Sequence, residues 1–491
     1  MTCVPDGPWN TAAARYVAAG FGLLLLGRLA AAPIVVTVNS TRDAGPGSLR
    51  EALNAANRNG GQATIAFDIP KADPGFDAET GTWTITFRDT APPLTVSHVS
   101  IDGSTQAARQ GDTNPLGPEI VLSGNGHSVE QAFALLNASG CTIRGLAITQ
   151  FIYGIQVYGD DAHDNRIVGN YLGCNAAGDA AQGNYNGIEL ISGAHDNQIG
   201  GAAARDGNLI SGNQHIGVKI SDAHRNLVLG NRIGLERNAM RPLPNYDGIC
   251  IEGRAQGNRV GGTQPGERNL ISGNMAYGVD LFGWGVRENV VLGNYIGTDH
   301  TGTQAVPNTY GVLFDDRASA NTVGGRGAGE WNLISGNTAF GAYFYNNGTH
   351  ANILCGNRIG TDFSGTRALP NETGVHIDGG TFENLVDGNL ISGNLVAGIT
   401  LFARRTDRNR IIRNHIGTDI TGALALGNGA DGVRIAFGPA DNQIGGSPEE
   451  GNTIAHNGGY GVMLESGTGN RIVGNTIRNN ARGDRRDPGA P

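Results

Sequence analysis

Aromatic side chains make up only 6% of this chain and charged ones only 16%. So few rings argue against a large helical core. Lys and Arg form no clusters, and the net charge is -9. That balance argues against nucleic acid as a partner, because phosphate binding needs concentrated positive charge. Cysteine is also scarce. The five residues Cys3, Cys141, Cys174, Cys250 and Cys355 lie far apart, without the CxxC or Cys/His spacing of a zinc site. Free thiols are expected, and stability cannot rest on disulfides. Long apolar runs are absent but for residues 17–32, VAAGFGLLLLGRLAAA. That run is too short, and too interrupted by Arg28, to span a membrane. Its end at Ala30-Ala31-Ala32 reads as a cleavage site, although Arg15 is the only basic residue before it and Asp6 opposes that charge. Residues 1–32 are therefore expected to be a signal peptide. The remainder should be secreted or at the cell surface, with no membrane span.

Glycine is abundant, with 79 residues in 491 and no collagen period. Many tight turns are implied. Length alone would suggest two or three globular domains, but internal repetition overrides it. The string NLISGN opens at Asn208, Asn269, Asn332 and Asn389, with the degenerate copy NTIAHN at Asn452. A second string, N-x-V-x-G-N-x-I-G-T-D in its fullest form, opens at Asn165, Asn226, Asn289, Asn352, Asn409 and Asn470. A third, G-[IV]-x-hydrophobic, occurs twice per superrepeat, as at Gly187 and Gly217. Each superrepeat thus holds two coils of about thirty residues, or about eleven coils between Cys141 and Arg482. Every coil has three short stretches of period-2 alternation separated by Asn and Gly, which are turn residues. Strands stacked this way make a solenoid with coils ~4.8 Å apart. Repeated Asn at one corner can form an amide ladder.

The pattern N-x-I-x-x-N-x-I…N-x-x-G-I-x-L resembles that of right-handed parallel β-helix repeat proteins of the pectin-lyase-like superfamily, over residues 120–482. The resemblance implies an all-β, single-stranded right-handed parallel β-helix. It does not fix an activity, since that superfamily includes lyases, hydrolases, epimerases, adhesins and structural proteins. Residues 41–52, TRDAGPGSLREA, resemble the opening of many secreted bacterial β-helix proteins, without the Cys that often precedes it. Ser48 is placed to cap a helix at 49–58. The expected layout is a cap with irregular early coils over 33–130, the β-helix over 131–481, and a charged, Pro-containing disordered tail over 482–491.

Chemistry is sought on the outward positions of the G-[IV]-x-hydrophobic-x strands. Alternation puts the two x positions outside. Read along the solenoid, they give Asp280/Phe282, Leu313/Asp315, Tyr343/Tyr345, His376/Asp378 and Thr400/Phe402, with Trp284 and Asp316 adjacent. Aromatic faces mixed with carboxylates suit sugar recognition. Phe282, Trp284, Tyr343, Tyr345, Phe402 and Asp316 are the candidate ligand contacts. Asp280, Asp315, Asp378 and His376 are the candidate catalytic groups. Asp315 and Asp378 should lie roughly 10 Å apart, near the upper limit of about 9.5 Å for an inverting carboxylate pair. Rings stacking only on one another is the alternative.

Asn245-Tyr246-Asp247-Gly248-Ile249 resembles the segment that carries a catalytic Asp in polygalacturonases. The companion Asp-Asp, G-H-G and R-I-K motifs are missing, so Asp247 is read as a turn residue. Asp299, Asp362 and Asp419 in the I-G-T-D copies are likewise read as turn residues, and His127, His215 and His415 as ordinary surface residues. No cofactor is expected; a calcium ion is compatible but not indicated. The favoured function is binding of a polysaccharide or cell-surface glycan along one strand face. A polysaccharide hydrolase, lyase or epimerase, and a structural or adhesive surface protein, are the alternatives.

Overall fold

The computed structural model describes residues 32–487. Cys3 and nearly all of the expected signal peptide lie outside the described residues, as do 488–491. Each regular coil gives one strand to each of three sheets, named A, B and C in chain order. Thr142–Arg144, Leu146–Thr149 and Tyr153–Tyr158 make one such coil. Sheets A and B have 15 strands each and sheet C has 13. Apart from Phe76–Asp77, which pairs antiparallel with Thr82–Thr86, the strands pair in parallel with the strand one coil on, so that Ile155, Ile188, Val218, Ile249 and Val279 stand in one column. This is a parallel β-helix, and parallel crossovers of this kind wind right-handed. Sheet C, less its first strand Gln131–Leu136 and its last Gly483–Arg486, has eleven strands between Cys141 and Arg482. That matches the number of coils expected there.

The inward Val, Ile and Leu residues form continuous columns, nearly all of them fully buried. Burying each such side chain contributes about 1.5–3 kcal/mol. The ends of the strands are fixed by asparagine. One ladder had been expected, but three are present, one at each corner. Asn258, Asn289 and Asn321 belong to the ladder before sheet A, Asn269, Asn294 and Asn332 to that before sheet B, and Asn274, Asn308 and Asn337 to that before sheet C. Each side-chain N–H donates to the next asparagine's Oδ1, and that Oδ1 also accepts a backbone N–H. Buried amides satisfied this way hold register without charge.

The glycine that opens each sheet C strand is a spatial requirement. A Cβ on Gly278 would lie 2.6 Å from the carbonyl oxygen of Gly311 and one on Gly248 2.6 Å from that of Gly278. The I-G-T-D segments form small hairpins, bridged at Thr298–Ala305, Thr361–Ala368 and Thr418–Ala425. Asp299 holds its own hairpin, accepting the N–H groups of Thr303 and Gln304 at 3.1 and 3.2 Å. Hairpins two coils apart hydrogen-bond to each other, Phe363 N–H to Gly302 O and Ile420 N–H to Gly365 O, both at 3.0 Å.

Sheets A and B begin early, with Ile34–Val38 and Phe76–Asp77, whereas sheet C begins only at Gln131. Helix α1, Leu49–Asn59, is capped by Ser48, whose hydroxyl accepts the Glu51 N–H at 3.2 Å. Its buried residues Leu49, Ala52, Leu53 and Ala56 pack against the first two strands of sheet A. A second helix, Thr105–Gln110, was not expected; its buried Gln106 amide bonds both the N–H and the C=O of Ile69. The charged C-terminal stretch is corrected as well. Gly483–Arg486 forms a strand paired with Tyr460–Leu464, because the last coil leaves an open edge on sheet C that any backbone can satisfy.

Candidate functional site

The outer face of sheet C brings most of the sequence-derived candidates together. Asp280, Tyr343 and His376 stand in one column, running Cys250, Asp280, Leu313, Tyr343, His376, Thr400. Phe282 and Asp315 are paired in the next column. Tyr345 and Asp378 continue that column, since their N–H groups bond Phe314 O and Phe344 O. Phe402 also ends a sheet C strand, paired with Ala436.

Burial separates these residues. Asp280 is 1% exposed between Cys250 and Leu313, so a ligand laid on the face does not reach it. Asp315 is 5% exposed and accepts the Asn346 amide and the Asp316 N–H, each at 2.6 Å. Burial raises its carboxyl above the usual range, although those two hydrogen bonds oppose the shift. Burial likewise raises the Tyr343 phenol, helped by Asp378 and Tyr345. His376 Nε2 lies 3.8 Å from Asp378. Asp316 takes a left-handed backbone, φ 41°, just past the strand.

Several functional candidates escaped sequence reading. Tyr277, Tyr310 and Phe340 precede the strand glycine and join the same surface. Tyr310 stacks on Tyr277 at 5.5 Å and Tyr343 at 5.7 Å, and Phe340 stacks on His376 at 4.4 Å. Strict alternation predicts them inward, but the bend at the glycine breaks the period. The cue was the recurrent aromatic-Gly dipeptide. Tyr343 packs on Tyr345 at 4.9 Å, and Phe402 on the 63%-exposed Phe437 at 4.6 Å. The result is an aromatic strip across successive coils, flanked by Asp315 and Asp378.

Trp284 is the exception. It projects from the corner between sheets C and A, 66% exposed, with the Arg254 guanidinium over its ring at 5.9 Å. There it lines a groove of about 790 Å³ that also contains His224, Arg287, Arg317 and His350. Those residues come from the x-x-[HQRSF]-x-N segment before sheet A, which the sequence reading passed over. Within it His163 and His195 stack at 5.1 Å, each ring bonded through Nδ1 to the following Asp.

Three earlier readings change. Asp247 is not a turn residue but begins a sheet C strand, fully buried, with one oxygen accepting the Tyr277 N–H at 3.3 Å. Asn186 and Asp431 do the same for Ile216 and Tyr460, so the position serves a backbone N–H that the glycine bend leaves out of the ladder. His215 is sandwiched between Tyr185 and Tyr246, and His415 is half-buried, its pKa lowered by burial. None of the four described cysteines is in a disulfide; Cys141, Cys174 and Cys250 are buried and Cys355 is partly so.

Known folds resemble the chain at low identity. The periplasmic alginate epimerase AlgG shares 14% identity over 85% of this chain and 81% of its own, with a TM-score of 0.34. For the Dettilon tailspike protein the values are 13%, 92%, 68% and 0.40. For the mannuronan C-5 epimerase AlgE4 A-module of Azotobacter vinelandii they are 13%, 92%, 100% and 0.30. At such scores these likenesses add nothing to what the strand pairing establishes. No curated protein sequence matches the chain significantly. A family model does match, over residues 104–296 and 360–486, which together make up more than half of the sequence. Those segments hold most of the asparagine ladders and sheet C glycines, and on that match the chain belongs to the NosD family, described as periplasmic copper-binding protein.

Proposed function

We propose that this protein is a carbohydrate-binding solenoid that lays a glycan chain along the outer face of sheet C. The family description places it outside the cytoplasm. Among the described residues no helix is long and apolar enough to cross a membrane. The observation that carries the reading is the continuous strip of Tyr277, Tyr310, Phe340, Tyr343, Tyr345 and Phe402. Rings that only completed a core would be sealed, whereas these are half-buried, with area left for a pyranose face. Asp378 and the Asn346 amide supply hydroxyl partners beside them.

The family name raises copper, and the residues do not fit a resident copper centre. Among the described residues no three His, Cys, Asp or Glu side chains converge on a point that could hold an ion. The stacked His163 and His195 each commit a ring nitrogen to an aspartate. The glycan reading therefore needs no metal.

The test is retention of the purified chain on immobilised neutral and acidic polysaccharides, with the Tyr345→Ala/Phe402→Ala double variant alongside. Retention by at least one polymer, weakened roughly tenfold in the double variant, is expected. No retention by any polymer, or equal retention of both proteins, overturns the proposal and favours a structural role. Product analysis on a retained polymer, with Asp315→Ala and Asp378→Ala, decides whether the face also catalyses.

A further inference from the structure

The corner groove lies off the sheet C face and asks for a different ligand chemistry. It runs from Asp160 to Phe382. The bridged column beside it, from His163 to Phe382, takes seven coil steps, or about 34 Å. Its middle third is set by three successive coils, which contribute Arg254, Arg287 and Arg317 in turn. None of the three is in an ion pair with a described residue, although Arg225, Arg408 and Arg413 on neighbouring surfaces all are. Arg287 is steadied by a hydrogen bond from Nε to Gln256 at 3.1 Å, and Arg254 lies over the Trp284 ring. Carboxylates in the groove, Asp160 and Asp222, sit toward one end, and Asp222 spends an oxygen on the Arg254 N–H at 3.0 Å.

We propose that this groove binds a linear polysaccharide bearing carboxylates, with successive acidic groups on Arg254, Arg287 and Arg317 and one sugar ring on Trp284. Guanidinium groups pair with carboxylates in a planar, two-pronged geometry. The three come from coil levels ~4.8 Å apart, close to the repeat of one pyranose along a chain, with Arg287 in the column of Gln256 and Ser319, and Arg254 and Arg317 two residues earlier in their own coils. An extended polymer lying along the groove meets all three levels in turn. The site is separate from the aromatic strip, and neither reading depends on the other.

The experiment measures affinity of the full chain for polygalacturonate, with dextran as the neutral probe, at low and high salt. The variants are Arg254→Gln/Arg287→Gln/Arg317→Gln, Trp284→Ala, and Tyr345→Ala/Phe402→Ala. All of these side chains are at least partly exposed, so the fold should survive. Polygalacturonate binding that weakens with salt, falls roughly tenfold or more in the triple variant, and falls in Trp284→Ala is expected. The strip variant should keep it. The proposal fails if polygalacturonate does not bind at low salt, if the triple variant binds as the parent does, or if the strip variant alone loses binding.

Discussion

Asp247 offers a test in which structure and sequence resemblance disagree. Burial raises its carboxyl to about 7, against which the single hydrogen bond from Tyr277 N–H works. Its second oxygen has no hydrogen-bond partner. In the unfolded chain the group returns to about 3.8. The folded pKa is therefore the higher of the two. The stability linked to its protonation is fully present below about pH 4 and lost as pH rises through about 7. A shift of about three units corresponds to roughly 4 kcal/mol at most. Asparagine already fills the same position at Asn186, where its oxygen accepts the Ile216 N–H at 3.0 Å. Asp247→Asn should therefore keep the backbone bond and remove the ionisation. Urea unfolding of parent and variant at a series of pH values, with hydrogen exchange at the Tyr277 amide as the local probe, is the assay. Near pH 4 the two proteins should be similar; by about pH 8 the variant should be the more stable by a few kcal/mol. A gap that does not change with pH, or a variant less stable throughout, would refute the assignment of a buried, ladder-completing carboxyl.

Two further outcomes follow from burial. Asn289→Ala removes four hydrogen bonds, two donated to Ala255 O and Asn321 Oδ1 and two accepted from Asn258, and strands buried partners. It should cost about 3–5 kcal/mol, read as faster hydrogen exchange in the coils on either side. Asn475→Ala, at the partly solvated last rung of its ladder, should cost about 1 kcal/mol; equal costs would count against the ladder as the source of register. Maleimide labelling of the native protein at neutral pH should be slow at Cys355 and absent at Cys174, since burial raises both thiols and Cys174 is sealed. Rapid labelling of Cys174 before unfolding would contradict its placement.

The winding of the chain was legible because one pattern repeats: Asn before each strand, Gly at the start of sheet C, aliphatic residues at period two. Each copy strengthens the others. Helix α1 was legible from Ser48 and Glu51, a local capping signal. The helix at 105–110 was not, because its buried Gln106 is specified by Ile69, 37 positions away. The C-terminal strand was missed for a related reason. It holds Gly, Asp and two Arg without one apolar side chain, and what pairs it is the open edge of Tyr460–Leu464 rather than its own composition. On the candidate site, alternation located Tyr343, His376, Asp315 and Asp378 on one face but could not report that Asp280 is sealed. It did not single out Tyr310 and Phe340, which precede the strand glycine and stack with Tyr343 and His376. The corner groove was invisible for a different reason: Arg254, Arg287 and Arg317 stand at variable positions of the segment before each sheet A asparagine, and only stacking makes them neighbours.

The contacts between hairpins set a unit of length for the molecule. Hairpins occur on alternate coils, and each bonds through its backbone to the hairpin two coils away, Arg237 N–H to Gly178 O, His300 N–H to Ala239 O, Phe363 N–H to Gly302 O and Ile420 N–H to Gly365 O. Removal of one coil would set a hairpin against a plain corner and leave those backbone groups without partners. Excision of two coils, such as residues 289–351, would bring Phe363 over Ala239 and restore the pattern. Such a solenoid can lengthen or shorten by gene duplication or loss only in paired steps, so ligand-bearing surfaces along it change by whole pairs of coils.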